Sequence, residues 1–424
     1  MNEPWLRRFA IIWVGQKLSW IGSRAGGFAL VWWLTRETGS AQVLATATLG
    51  LILPTVLLGP IAGAYVDRWS RRRTIIISDS FIALISLALA YLFWSGQMEI
   101  WHVYVVILAR AIGNAFHEPA MGASTAMLVP KAHLSRIAGV NQAAKGAMSV
   151  AGPLLGALLI SILPIHGVML VDVGTAAFAI IPLFFLRIPQ PSAGSGKEKI
   201  LASLRVGFRF VRAHRGLVYT LGIECLGNFL LNPVFVLLPL LVTEHFGGGA
   251  LHLGWLQSWW GIGLAVGGIA LSLWGGFRRR VVTMYLSGGL QAAALVLLGV
   301  VPATHFAVAL VALTAHGFCN AFHNGSASAL IQSIVPKHMQ GRVFTLIESL
   351  LQGIYPISLL IVGPVVAVIG LRTWFIAGSL IMVCAQLGAL AVPAIRHLEA
   401  RMSRASVGVA GEMAAETAAE VVTG

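Results

Sequence analysis

Long apolar runs alternate with short polar breaks along nearly the whole chain. Most runs approach or exceed the roughly 20 residues that an α-helix needs to cross the hydrocarbon core of a bilayer. Strands of a membrane barrel would be shorter and would alternate apolar with polar residues. The pattern therefore predicts an all-α membrane protein. We place twelve transmembrane helices at 9–34, 41–65, 74–95, 101–128, 138–163, 168–187, 216–243, 251–275, 281–301, 304–332, 343–369 and 371–393.

The composition agrees with a membrane protein and excludes several other classes. Of the 424 residues, 57% are hydrophobic and 10% are charged, whereas a soluble domain carries about 25% charged residues. The three cysteines share no spacing, so they indicate neither a disulfide framework nor a metal site. The chain also lacks a phosphate-binding loop. We therefore expect no cofactor, no metal and no enzymatic activity.

The basic residues lie almost entirely on one side of the predicted spans. Of the 29 Lys and Arg residues, only Arg36 and Arg372 fall in the opposite set of loops and span ends, and four more lie deep inside spans. Because basic loops stay in the cytoplasm, we place both termini on the cytoplasmic side. The net charge of +14 therefore reflects membrane topology, and we expect no nucleic-acid partner.

Residues 188–215 interrupt the rhythm of helices. The segment begins with a Pro-, Gly- and Ser-rich run, which is typical of a flexible linker. Arg205, Arg209 and Arg212 then recur at helical spacing, which predicts a short basic amphipathic helix on the inner membrane surface or a docking site for a partner. We divide the chain into an N-terminal six-helix bundle at 1–187, a cytoplasmic linker at 188–215, a C-terminal six-helix bundle at 216–395 and a disordered cytoplasmic tail at 396–424.

The two predicted bundles repeat one another in sequence. "NAFH" at residues 114–117 recurs at 320–323, an offset of 206 residues. At the same offset "VPK" at 129–131 recurs at 335–337, and Arg136 matches Arg342. Similar basic loops would explain the matched lysines but not the four identities inside the helices. The repeat predicts two parallel halves related by an axis along the membrane normal.

Polar side chains inside the spans concentrate on helices 1, 4, 7 and 10. Such residues are costly in a membrane and often mark a functional site. Arg110, Asn114 and His117 form one helical stripe, which the second half repeats. The stripes either face a water-filled cavity or supply hydrogen bonds between helices. The cavity and substrate candidates are Gln16, Lys17, Arg24, Asn114, His117, Asn228, Asn232, His316, Asn320 and His323.

The turn between helices 2 and 3 reads "GPIAGAYVDRWSRRR". It resembles the cytoplasmic signature of the major facilitator superfamily, in which a glycine-containing helix end precedes Asp-Arg and an arginine cluster. In that family the turn forms charge pairs that hold the cytoplasmic side closed. The alternative is an anchor under the positive-inside rule. Gly59 and Gly63 are spaced for close packing of helix 2. The gate candidates are Gly63, Asp67, Arg68, Arg71 and Arg72.

Helix 5 and two further stretches narrow the resemblance. Gly152, Pro153 and Gly156 resemble part of the antiporter motif of twelve-helix drug exporters, and such a pattern gives a kinked, smooth helix face. "WVGQKLSWIGS" in helix 1 and "VPKHMQGRVFTLIESL" before helix 11 are similar to the drug and siderophore exporter branch, which includes the enterobactin exporter and the macrolide efflux proteins. Lys17, Arg24 and Glu118 are not expected throughout that branch and could mark a different substrate.

The resemblance implies the major facilitator fold, with two pseudo-symmetric six-helix bundles, in the bacterial inner membrane. The implied function is proton-coupled export of an amphipathic small molecule, drug-like or siderophore-like, by alternating access. Its implied partners are that substrate, protons and membrane lipids, and we expect a monomer. Two alternatives stay open: an importer of the same family, or a non-transporting membrane factor that reuses the fold.

A proton-coupled transporter also needs a group that binds and releases the proton. Glu118 and Glu224 are the deep carboxylates on the cavity helices, and we rank them in that order, with Arg110 tuning the site. Glu118 could instead bind a cationic substrate. We interpret Asp172 as solvated near the outer end of helix 6. Lys145 and Glu348 are expected to snorkel or to form gating ion pairs.

Overall fold

The structure is a computed structural model, and it describes residues 4–66, 69–130, 133–186, 208–335 and 340–396. Nearly all of these residues are helical, and none of them is in a strand. The predicted all-α fold class is therefore confirmed. The N-terminal part of the predicted amphipathic helix and almost all of the predicted tail lie outside the described residues, but residues 208–213 are helical.

Twelve helices of 19 residues or more make up the described part of the chain. A π-helical turn at Leu241–His245 extends the seventh, and a short helix at Pro393–Arg396 follows the last. The long helices are α1 Pro4–Thr38, α2 Ala41–Val66, α3 Arg71–Trp94, α4 Ile100–Leu128, α5 Leu134–Ile162, α6 Ile165–Phe185, α7 Arg215–Leu240, α8 Ala250–Trp274, α9 Arg280–Val300, α10 Phe306–Ile334, α11 Gln340–Ile369 and α12 Leu371–Ala389.

Ten of these helices are long and apolar enough to cross a membrane. The other two are α1 and α4, which carry charged side chains near their middle. Lys17 and Arg24 lie on α1, and Arg110 and Glu118 lie on α4. The two helices that fall short in hydropathy are therefore two of the four that the polar pattern assigned to the cavity.

Glycine determines how closely some helices approach. A Cβ atom at Gly263 or Gly267 of α8 would fall on the carbonyl oxygens of Thr314 or Phe318 of α10. A Cβ at Gly317 of α10 would likewise fall on the carbonyl oxygen of Trp260. Small residues allow this kind of backbone contact between membrane helices. The glycine-rich run "GIGLAVGG" at residues 261–268 thus packs α8 onto α10.

The first six helices pack mainly on one another, and so do the last six. In the first half, α1 contacts α5 and α6, while α3 contacts α4 and α6. In the second half, α10 contacts α8 and α9, while α12 contacts α9 and α7. The main contacts between the halves are α5 with α8 and α2 with α11.

One apolar core joins the two halves at the end of the molecule that carries the α1–α2, α5–α6 and α7–α8 turns. It contains Leu34 and Leu44 from the first half and Leu241 and Leu253 from the second. The charge pattern assigned these turns to the external side. At that end, therefore, the halves share one core.

The opposite end of the molecule has two separate cores. One contains Phe9, Ile75 and Leu128, all of the first half. The other contains Val281 and Leu330, both of the second half. Among the described residues, the halves thus share one core at one end and have separate cores at the other.

Candidate functional site

A cavity of about 620 Å³ lies in the second half, among helices α7 to α12. Its wall mixes aromatic rings, aliphatic side chains and amides. All six second-half candidates line it: Glu224, Asn228, Asn232, His316, Asn320 and His323. Sequence reasoning missed the cavity glutamines Gln291, Gln352 and Gln386, although polar amides inside apolar spans were a visible signal. Glu348, interpreted as a snorkelling or gating residue, also lines this cavity.

The cavity asparagines also form hydrogen bonds along and between helices. Asn232 Nδ2 donates to Asn228 Oδ1 at 2.7 Å, and Asn228 Nδ2 donates to the Glu224 backbone carbonyl at 3.0 Å. Asn320 Nδ2 donates to Gln291 Oε1 of α9 at 3.0 Å. These side chains therefore line the cavity and also form hydrogen bonds that hold its wall in place. Both functions considered for the polar stripes, facing a cavity and linking helices, apply to them.

Glu224 of α7 and His323 of α10 form a pair in this wall. Glu224 Oε2 lies 3.1 Å from His323 Nε2, and the other ring nitrogen, Nδ1, lies 2.9 Å from the Met284 carbonyl oxygen. A carbonyl oxygen only accepts hydrogen bonds, so Nδ1 carries a hydrogen. A hydrogen bond to Glu224 then needs a second proton, either on Nε2 or on the carboxyl group.

Three polar atoms of the cavity residues have no hydrogen-bond partner among the described residues. They are Glu224 Oε1, Gln386 Oε1 and Trp260 Nε1, which offer two acceptors and one donor. Trp260 also packs on Phe235, with ring centroids 5.4 Å apart. Buried polar atoms without partners are unusual in folded proteins and ask for an explanation. The wall thus combines unsatisfied hydrogen-bonding groups with aromatic rings, although the three atoms themselves are almost fully buried.

In the first half, Arg110 of α4 pairs with Asp172 of α6 instead of acting on Glu118. The Nη1–Oδ2 distance is 2.6 Å, and Asp172 is only 1% exposed. Ser86 Oγ lies 2.9 Å from Asp172 Oδ2 and accepts from Arg110 Nη1, while Ser23 Oγ donates to Asp172 Oδ1 at 2.9 Å. The interpretation of Asp172 as a solvated residue is therefore wrong, because side chains from three other helices surround it.

A second buried network joins α1, α3 and α4. Gln16 Nε2 donates to Asp79 Oδ2 at 2.7 Å. His117 Nε2 lies 3.1 Å from Asp79 Oδ1 and 2.9 Å from Gln16 Oε1. Sequence reasoning identified Gln16 and His117 but missed Asp79, which is buried on α3. The two histidines of the "NAFH" repeat thus both pair with carboxylates, although the carboxylates come from different helices.

The remaining first-half candidates lie on more open faces. Asn114, Glu118 and Arg24 are exposed, and Lys17 is partly buried. Glu118 is close enough to Lys17 and Arg24 to interact with both electrostatically. These charges therefore form a separate group from the two buried networks.

The helix 5 motif lies where three helices meet. A Cβ at Gly156 would approach Phe28 Cβ of α1 to 2.9 Å, and one at Gly152 would lie 3.9 Å from Arg24 Cβ. On the other side, a Cβ at Gly254 of α8 would lie 3.1 Å from the carbonyl oxygen of Pro153. The motif thus packs α5 against its own half and against the other half.

Two gate candidates, Asp67 and Arg68, lie outside the described residues, and a third, Gly63, lies on α2. Arg72 donates to the carbonyl oxygens of Leu183 and Phe184 at the end of α6. A cation is favourable at such a helix C-terminus.

Arg71 is buried, and its Nε and Nη1 have no partner in the described part of the chain. A Cβ at Gly59 would meet nothing within 4 Å in the described part of the chain, so this glycine makes no close helix contact there.

Relatives that match most of this chain are named as efflux proteins. The chain is 30% identical over 397 residues to "Macrolide efflux protein A" of Streptococcus pyogenes, covering 93% of this chain and 98% of the relative. It is 29% identical over 383 residues to "Multidrug efflux pump Tap" of Mycobacterium tuberculosis, covering 86% and 88%.

Solved structures of transporters share the fold at low sequence identity. A nucleoside transporter matches with a TM-score of 0.68 and 14% identity over 90% of this chain and 99% of that chain. A bacterial homologue of the iron transporter ferroportin, in an inward-facing state, matches with a TM-score of 0.67 and 15% identity over 93% and 99%. The profile of the Major Facilitator Superfamily matches residues 12–357. With its helices, its cavity and these relatives, the chain belongs to the Major Facilitator Superfamily, a family of transporters and not of enzymes.

Proposed function

We propose that this protein exports an amphipathic organic molecule in exchange for protons, by alternating access. The relatives named for macrolide efflux and multidrug efflux support the direction of transport. The mixed aromatic and amide wall of the cavity supports a substrate with both apolar and polar groups. The bacterial relatives favour the inner membrane, and siderophore-like substrates remain within the proposal.

The division of the apolar core supports alternating access. A single core joins the halves at the end assigned to the outside, while each half has its own core at the other end. We infer that this arrangement corresponds to an inward-facing state. The two six-helix halves would then rock about the α5–α8 and α2–α11 contacts, with the turn that contains Asp67 acting as the cytoplasmic gate.

The Glu224–His323 pair is the observation that carries the proton coupling. Its two hydrogen bonds need one proton more than a carboxylate and a neutral imidazole supply. Loss of that proton would leave two lone pairs facing each other and would weaken the link between α7 and α10. Substrate bound in the cavity that Glu224 lines would favour this loss. His316, Glu348 and Tyr355 are the other titratable groups that line the cavity in the described part of the chain.

This assignment reverses the order expected from sequence. Glu118 lies beside Lys17 and Arg24, so we assign it to balancing their charge. Glu224 instead has a titratable partner, lines the cavity and connects two helices. We therefore propose Glu224 with His323 as the proton site, and Arg110 as a structural residue.

Everted membrane vesicles test the proposal with erythromycin and a panel of amphipathic dyes. We expect uptake of at least one compound when the vesicle interior is acidic, and no net uptake once an uncoupler collapses the gradient. Glu224→Gln should abolish gradient-driven uptake but retain exchange between labelled and unlabelled substrate, because the binding cavity persists. Glu37→Gln, an exposed residue near the end of α1, is the matched control and should behave as wild type.

Three results would contradict the proposal in different ways. Uptake only into right-side-out vesicles would indicate an importer. Failure of every compound to move would favour a non-transporting factor. Normal gradient-driven uptake in Glu224→Gln, with loss in Glu118→Gln, would return the proton site to Glu118.

A further inference from the structure

A ladder of aromatic and cationic side chains runs along one face of α1. Lys17 Nζ lies 5.7 Å from the ring centroid of Trp13 and 5.6 Å from that of Trp20. Arg24 Cζ lies 4.8 Å from the Trp20 centroid. Cations within about 6 Å of an aromatic ring are attracted to its face. The rings therefore hold the two cations in place without neutralising their charge.

A third cation faces this ladder from α5. Trp13 Nε1 donates to Asn141 Oδ1 at 2.7 Å, and Gly152 lies next to Arg24. Lys145 is one turn beyond Asn141, between these two contacts, and it interacts electrostatically with Lys17. The same stretch of α5 continues into the contact with α8, where Ser258 Oγ donates to the Val150 carbonyl at 2.6 Å. The cations thus lie beside the seam between the two halves.

The local charges do not balance. Lys17, Arg24 and Lys145 have no ion-pair or hydrogen-bond partner among the described residues, and Glu118 is the carboxylate that interacts electrostatically with Lys17 and Arg24. The two buried networks of the first half differ, because Arg110 already has Asp172 and Asp79 already has His117. Three cations and only one carboxylate on membrane helices carry a large free-energy cost, and a further anion bound beside them would reduce it.

We propose that these three cations bind an anionic group of the transported molecule, so that the substrate is an amphipathic organic anion with a carboxylate, sulfonate or phosphate. The tryptophan rings would contact its apolar body. This inference rests on the proposed export function and names the charge of the substrate. The same chemistry could hold an anionic lipid headgroup, and the test separates the two sources.

Binding of two dyes with the same xanthene skeleton tests the proposal. Fluorescein is an anion at pH 8 and rhodamine 123 is a cation, and their anisotropy reports binding to purified protein in nanodiscs of phosphatidylcholine. We expect fluorescein to bind about tenfold more tightly than rhodamine 123, a difference of ~1.4 kcal/mol. Lys17→Gln with Arg24→Gln should remove that preference, and Lys145→Gln alone should reduce it. Lys17→Arg should keep it, and so should Arg278→Gln with Arg279→Gln, a pair outside the spans.

Each contrary outcome has a definite meaning. Equal or tighter binding of rhodamine 123, no saturable binding of fluorescein, or an unchanged preference in the double variant would overturn the proposal. A preference that disappears when phosphatidylglycerol is added would assign the cations to lipid and would also overturn it. Dye binding needs no proton gradient, so its result does not depend on the vesicle assay. Failure of the anion proposal can therefore be distinguished from failure of the proposed export.

Discussion

At the scale of single residues, the partner of a buried polar group decides its role. Arg110 and Asp172 illustrate this, since they are 62 positions apart in the chain and 2.6 Å apart in the fold. A helical stripe in the sequence shows that Arg110 faces something polar but cannot identify a residue two helices later. The same holds for Asp79, whose contact with His117 no local pattern indicates.

Asp172→Asn should destabilise the protein strongly. Removal of one partner from a buried ion pair leaves the other charge uncompensated and costs about 3–5 kcal/mol. Thermal unfolding in detergent should show a lower midpoint for this variant than for the Glu37→Gln control. Replacement of both partners, Asp172→Asn with Arg110→Gln, should recover part of the loss. A wild-type midpoint in the single variant would mean that the pair contributes nothing to stability.

At the scale of helices, glycine position determines which faces can touch. Gly267 and Gly268 are adjacent on α8 but point in different directions. A Cβ at Gly267 would fall on the Phe318 carbonyl oxygen of α10, whereas one at Gly268 would meet nothing within 4 Å. The glycine run alone predicts close packing, and the fold shows which glycine provides it.

Gly267→Ala should therefore destabilise the protein while Gly268→Ala should not. Overpacking of this kind costs about 1–3 kcal/mol, while alanine at an open helical position is neutral or slightly stabilising. Thermal unfolding of the two variants, each compared with wild type, measures the difference. Equal midpoints for both variants would show that α8 and α10 can separate without cost.

At the scale of the whole molecule, the charge pattern and the arrangement of the apolar cores distinguish one end of the helix bundle from the other. The basic loops predict the cytoplasmic side, and the two separate cores lie at that same end. Among the described residues, the end with separate cores therefore coincides with the end that carries the basic loops, and this coincidence supports the inward-facing state proposed above.

Reporter fusions test this orientation directly. Fusions at residues 195–200 and after residue 424 should report a cytoplasmic position, because both follow an even number of helices. Fusions near residues 165 and 303 should report an external position, because they lie in turns at the other end. An external linker would contradict the orientation and, with it, the inward-facing assignment.

The sequence by itself determined the class, the number of helices and the family. Hydrophobic length and periodicity are local properties, so helix α8 at Ala250–Trp274 was predicted within one residue at each end. The 206-residue repeat and the charges of the loops are also properties of the sequence alone. The repeat predicted two related halves, and the loop charges predicted which ends of the helices face the cytoplasm. The stripe on α10 was predicted for the same reason, since spacing on one helix is independent of its neighbours.

Only the tertiary structure decided which polar groups meet. It paired Arg110 with Asp172 and Glu224 with His323, and among the described residues it gave Lys17 and Arg24 no ion-pair partner, with Glu118 as the nearby carboxylate. These outcomes depend on the rotation and approach of helices that are distant in sequence, which hydrophobic patterning does not specify. The sequence therefore predicts where polar residues lie along each helix. The fold decides which of them are already paired and which remain available to a proton or a substrate.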